Sequence, residues 1–175
     1  GAPAPELAQA QAQLLEYKVY PDWMSLGTLA TLGALADYAH FSHYSKPTGL
    51  IEISPTATHL VVLESTGVTF TRKIDLGLDS LTPVLQKKLN LSKPELVSKL
   101  LFAKTFDFSE IGPDLLKDLG KEIESVTGFY EAHTGQALGQ IYVSLLPESL
   151  SWVGEILAKR LSVETVRPNY GPWLK

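Results

Sequence analysis

The stretch from Leu50 to Ile74 constrains this chain more than any other. Leu50-Ile51-Glu52-Ile53 and Leu60-Val61-Val62-Leu63 are short apolar runs rich in branched residues, and Val68 to Ile74 alternates through Val68, Phe70, Arg72 and Ile74. Runs of this length bounded by turn residues read as strands, the first two buried on both faces and the third with one dry face. Ser45-Lys46-Pro47-Thr48-Gly49 is a turn or loop ahead of them, and Ser65-Thr66-Gly67 is a tight connection between the second and third. Three consecutive strands with short connections make an antiparallel meander.

Helical periodicity flanks the meander. Glu6 to Glu16 is rich in Ala, Gln and Leu and reads as a helix, followed by a short strand at Lys18-Val19-Tyr20. Pro21-Asp22 sets up a second helix, with Leu26, Leu29, Leu32 and Leu35 repeating every third residue through Tyr38. Beyond the strands come helices at Ser80 to Leu89, Lys93 to Lys104, and Pro113 to about Thr134. The last has proline at its start and Gly135 at its end. Gln140 to Leu146 reads as a strand, Leu150 to Leu161 as a helix and Val163 to Val166 as a strand. That strand–helix–strand implies a right-handed parallel crossover. The class is α/β.

Composition narrows the function. A chain of 175 residues with net charge −4 lacks the basic balance of a nucleic-acid binder, and Arg72-Lys73, Lys87-Lys88 and Lys159-Arg160 read as solvated faces. The absence of cysteine removes disulfides, thiolate metal sites and thiol catalysis. Gly1 to Pro5 carries no secretory pattern, and with no initial Met the chain reads as a piece of something longer. Met24 to Phe41 is broken by Asp37, His40 and several Thr, so it reads as a core helix and not a membrane span. His40 and His43 have a spacing that serves a metal on a helix, but no third ligand accompanies them, and no metal site is expected. His59 and His133 stand alone. No G-x-S-x-G elbow occurs, and Thr66-Gly67 and Gly77 read as turn glycines outside any Walker-type loop. Trp23, Trp152 and Trp173 are the residues best suited to anchor an interface. Arg167 to Trp173, with two prolines and two aromatics, is either a segment returning toward a missing lobe or an exposed tail.

Particular residues carry a family resemblance. Phe70-Thr71-Arg72-Lys73-Ile74-Asp75-Leu76-Gly77, then Leu81-Thr82, Leu85-Gln86, Leu89 and Leu91-Ser92, resembles the PilM family of type IV pilus assembly proteins. Glu122-Ile123-Glu124-Ser125, Phe129-Tyr130 and Gln140-Ile141-Tyr142-Val143-Ser144 resemble later segments of the same family. The likeness spans about residues 6 to 170 as a diffuse pattern. It implies the C-terminal half of an actin-like (ribonuclease H-like) ATPase domain, related to FtsA and to the cytoplasmic domain of GspL. Residues 1–19 would be a leader and the last helix of an inserted small subdomain, and residues 20–175 the second lobe. The first phosphate-binding hairpin of the superfamily would lie in the missing half.

The resemblance also implies where a nucleotide would bind. The turn matching the family's D-x-G-x-x-x-T is Glu52-Ile53-Ser54-Pro55-Thr56-Ala57-Thr58. Glu52 adds a methylene, Ser54 replaces the permissive glycine, and Pro55 removes an N–H donor, so Thr58 alone is intact. The glycine-rich turn on the adenine side is replaced by Leu145 and Leu146 after Ser144, with Pro147 following. On the ribose-contacting helix, Val97 and Leu100 stand where an acid and a base belong. Trp152, beside that turn, is placed either to plug a vacant pocket or to meet a partner. The expectation is a degenerate nucleotide site: no bound cofactor, no catalysis, and a cytoplasmic scaffold at the inner face of the inner membrane. It would bind the cytoplasmic tail of a single-span pilus assembly protein, with a homo-oligomer allowed. The alternative is a nucleotide-binding actin-like ATPase that switches assembly.

Overall fold

The computed structural model describes residues 4–19 and 27–167. Its centre is a five-stranded sheet of order β3-β2-β1-β4-β5, built from β1 (Thr48–Ile53), β2 (Thr58–Glu64), β3 (Gly67–Ile74), β4 (Gln140–Ser144) and β5 (Glu164–Thr165). The pairs β1–β2 and β2–β3 are antiparallel, which is the expected meander. The pairs β1–β4 and β4–β5 are parallel. Every residue of β1 is buried, because it has a neighbour on each side and a helical layer on each face.

The two-residue period of the strands sorts their side chains between those layers. Ile51, Ile53, Leu60 and Ile141 face the larger core. There they meet α3 (Leu81–Leu89), α4 (Pro94–Leu101), α5 (Gly112–Leu115), α6 (Lys117–Thr134) and α7 (Ser151–Leu161). Leu50, Val61, Leu63 and Val166 face the other way, onto Leu32 and Leu35 of α2 (Gly27–Phe41). The first helix, α1 (Ala4–Glu16), buries no residue.

Several boundaries differ from expectation. The chain does not enter a strand at Lys18-Val19: Lys18 has φ 58, and the amides of Lys18 and Val19 bond back to Leu15 and Leu14 as a helix ending. Tyr20 lies outside the described residues, as do Pro21-Asp22, Trp23, Leu26 and the segment from Pro168 onward. The helix expected from Pro113 is two, broken at Leu116, which lets the consecutive Leu115 and Leu116 both turn into the core. The helix from Lys93 stops at Leu101, and β4 stops at Ser144 because Leu145 takes φ 64. The last strand is shortened to Glu164–Thr165. In β3 the dry face is incomplete: Ile74 is buried and Phe70 half-buried, but Val68 is exposed at the sheet edge. Leu29 is likewise 58% exposed on the outer side of α2.

Gly77 is less a turn residue than a contact point. A Cβ there would run into the carbonyl oxygens of Ser54 and Pro55 and the amide nitrogen of Ala57. Only a bare Cα lets the backbone after β3 lie against the β1–β2 turn, where Leu78 and Asp79 donate their amides to those two carbonyls.

Candidate functional site

The expected nucleotide-site residues meet at one end of the sheet. Glu52 of β1 pairs in register with Ser144 of β4, so the Ser54–Ala57 turn and the exit of β4 at Leu145-Leu146 lie side by side. In α/β sheets, the carboxyl ends of parallel strands are where ligands sit.

The polar groups in this corner have partners within the fold. Glu52 is 4% exposed; one carboxylate oxygen accepts a 2.6 Å bond from the Thr28 hydroxyl of α2, and the other a 3.3 Å bond from Ser144. The Ser54 hydroxyl donates to the Ala57 carbonyl at 2.7 Å and accepts from the Ala57 amide at 3.1 Å. The Ser54 amide also bonds the Ala57 carbonyl, at 2.9 Å. Thr58 is fully buried and donates to Leu76 O at 2.7 Å, fastening β2 to the segment after β3.

Leu145 keeps the left-handed backbone that a glycine would take, with a side chain 67% exposed. Leu146 is half-buried and lines a cavity of about 420 Å³ with Tyr142, Pro147, Glu148 and Gly154. At its rim Lys104 forms an ion pair with Glu148, which holds that carboxyl below the usual range. Val97 is fully buried, because α4 packs Val97 and Leu101 into the core. An acid at that position would be buried without a partner, so a ribose contact there and this packing exclude one another.

Trp152 does not fill the space beside Leu146. It lies on a different face of α7 and stacks on Phe108, with ring centroids 4.6 Å apart and planes 12° apart. The residues that sequence reasoning passed over are Thr28, which sits 24 positions from the carboxylate it binds, and Phe106 and Phe108 beneath Trp152. The alternation Phe106-Asp107-Phe108 ahead of Gly112-Pro113 was the available signal for the latter. His40 and His43 do not come together with a third ligand; among the described residues no three His, Asp or Glu side chains form a metal-binding group. No described helix is long and apolar enough to cross a membrane.

No protein-family model matches this sequence, and no curated protein matches it significantly. Solved structures do match by shape. One from a "PilM-PilN type IV pilus biogenesis complex" aligns with 93% of this chain and 47% of its own, at TM-score 0.67 and 19% identity. The archaeal actin homolog Ta0583 aligns with 79% of this chain and 48% of its own, at TM-score 0.57 and 11% identity. Apo pSK41 ParM aligns with 79% of this chain and 43% of its own, at TM-score 0.53 and 14% identity. The chain thus spans about half the length of the structures it matches, and the fold of its described residues is an actin-like one.

Proposed function

We propose that this chain is one lobe of an actin-like scaffold that works through protein contacts and turns over no nucleotide. The observation that carries the reading is the internal use of the polar side chains at Glu52, Ser54 and Thr58. A magnesium–phosphate ligand asks for an outward carboxylate and free N–H donors. Here the carboxylate is bonded to Thr28, the Ser54 amide is bonded to Ala57, and Pro55 has no N–H.

The partner we infer is the cytoplasmic tail of a single-span inner-membrane protein in a type IV pilus or related secretion platform. The lobe would lie at the cytoplasmic face of that membrane, with α1 as the end of an inserted subdomain. Support comes from the resemblance at Phe70 to Gly77 and Gln140 to Ser144, together with a fold in common with a protein solved as a PilM–PilN complex. The second reading is a nucleotide-dependent assembly switch. It draws on the convergence of Glu52, Ser54 and Leu145-Leu146 at one sheet end.

The test is calorimetric titration of Mg-ATP into the full-length protein, followed by titration of the tail peptide of a pilus membrane protein. The scaffold reading expects no heat from nucleotide and saturable heat from the tail. Micromolar nucleotide binding would give the lead to the switch.

A further inference from the structure

The cavity beside Leu146 keeps its volume of about 420 Å³ because Trp152 turns away to stack on Phe108. Its walls come from β4 and the turn after it, the first half of α7 and the end of β5. Val143, Leu146, Pro147, Leu150 and Val166 give it an apolar lining. Gly154 leaves the α7 wall bare, since even a Cβ added there would meet only Val143, at 3.4 Å. The space is of a size that encloses a large side chain.

Charge at the mouth is balanced. Among the described lining residues the charged ones are Glu148, Glu155 and Arg167. Glu148 is paired with Lys104 and Glu155 with Arg167, each at 2.6 Å. No charge is left over to attract a phosphate or a carboxylate, and an apolar lining behind neutralised pairs is complementary to a neutral apolar group.

The course of the chain brings such a group to the rim. Val166 donates its amide to Ile141 O at 2.8 Å, and Arg167, next in sequence, is itself a lining residue held on α7 by Glu155. The sequence runs on from there as Pro168-Asn169-Tyr170-Gly171-Pro172-Trp173-Leu174-Lys175. Lys175 is the one charged side chain in that stretch, and Pro172-Trp173-Leu174 is its most apolar part. Gly171-Pro172 is a turn-forming pair, able to reverse the chain ahead of the ring. Six residues separate Trp173 from Arg167, a reach of about 20 Å at full stretch. So short a tether holds the ring at an effective concentration of millimolar order, at which a weak apolar contact is populated.

We propose that the segment after Arg167 folds back on the lobe and seats the Trp173 indole in this cavity. Tryptophan brings the largest apolar body of the segment and a single N–H, for which Ser151 and Glu148 of the lining offer oxygen acceptors. The proposal deepens the scaffold reading and rests on it: the sheet end holds a side chain of the same chain and no external nucleotide.

The test is a ¹³C-edited NOE spectrum of the full chain, methyl-labelled at Val and Leu and recorded without nucleotide. The expected result is NOEs from the Trp173 ring protons, assigned through W173F, to methyls of Val143, Leu146, Leu150 and Val166. The same methyls should lose their ring-current shifts in W173A. The NOEs are read on the unaltered chain, so they do not depend on how stable either variant is. Three results overturn the proposal: a Trp173 ring with no NOE to these methyls, NOEs from it to another surface, or NOEs that vanish on dilution and so belong to a second copy. Absent NOEs sink this proposal and leave the calorimetric test of the scaffold reading standing. Heat from nucleotide would sink that reading even with the NOEs present.

Discussion

Replacing Thr28 by valine tests whether the carboxylate of Glu52 belongs to the fold or is available to a ligand. The substitution keeps the shape of the side chain and deletes only the hydroxyl that donates to Glu52 at 2.6 Å. The remaining partner is Ser144 at 3.3 Å, so a carboxylate that is 4% exposed keeps one long bond and no water to replace the other. Hydrogen bonds to charged groups contribute about 1.5–3 kcal/mol, and a buried acceptor left without its donor loses most of that. We therefore expect T28V to destabilise the chain by about 2 kcal/mol, a sizeable share of the roughly 5–15 kcal/mol that holds a domain of this size. Urea denaturation followed by far-ultraviolet circular dichroism reads this as a lower midpoint at unchanged slope. The double variant T28V/E52L removes both partners and should recover most of the loss. A T28V loss below about 0.5 kcal/mol would mean that water already reaches Glu52. The carboxylate would then be free to turn outward, and the case for an internally saturated turn would fail.

Three further outcomes follow from particular contacts. Gly77→Ala should cost about 2–4 kcal/mol in thermal or urea unfolding, because the new methyl meets backbone atoms on three sides; a near-neutral result would mean that the two turns are not held together. Leu145→Gly should raise stability by about 0.5–1 kcal/mol, since it relieves a left-handed leucine at φ 64 and gives up little burial. Glu64 accepts bonds from Tyr130 at 2.6 Å and Thr69 at 2.8 Å, and these hold its carboxyl below the usual value, the Tyr130 bond foremost. The folded pKa therefore lies below the unfolded one. The stability it contributes is present above the ordinary carboxylate pKa of about 4.3 and lost as pH falls through the folded value. Tyr130→Phe should flatten the acid limb of a stability-versus-pH curve below about pH 5 and change little in its slope above that.

Much of the architecture was legible from local pattern. The branched runs at Leu50–Ile53 and Leu60–Leu63 announced strands with two dry faces, and short connections between neighbouring strands leave few pairings other than a meander. Likewise, Pro113 and Gly135 bracketed a helical region, because the physics of helix ends is local. What local pattern missed were decisions taken by packing. The strand read at Lys18-Val19 is the end of a helix, and the helix read from Pro113 breaks at Leu116, where core contacts override propensity. Val68 and Leu29 show the apolar signature of core positions yet lie exposed, because periodicity cannot say whether a face has a neighbour.

By itself, then, the sequence determined the α/β class, the three-strand meander and the side chains that stand at Glu52, Ser54, Leu145 and Leu146, all of which rest on residue identity and short-range spacing. Tertiary structure alone decided what those residues touch. Thr28 reaches Glu52, Thr58 turns to Leu76, and Trp152 stacks on Phe108 instead of filling the space beside Leu146. Each is a contact across many residues of chain, set by how strands, turns and helices come together around one sheet.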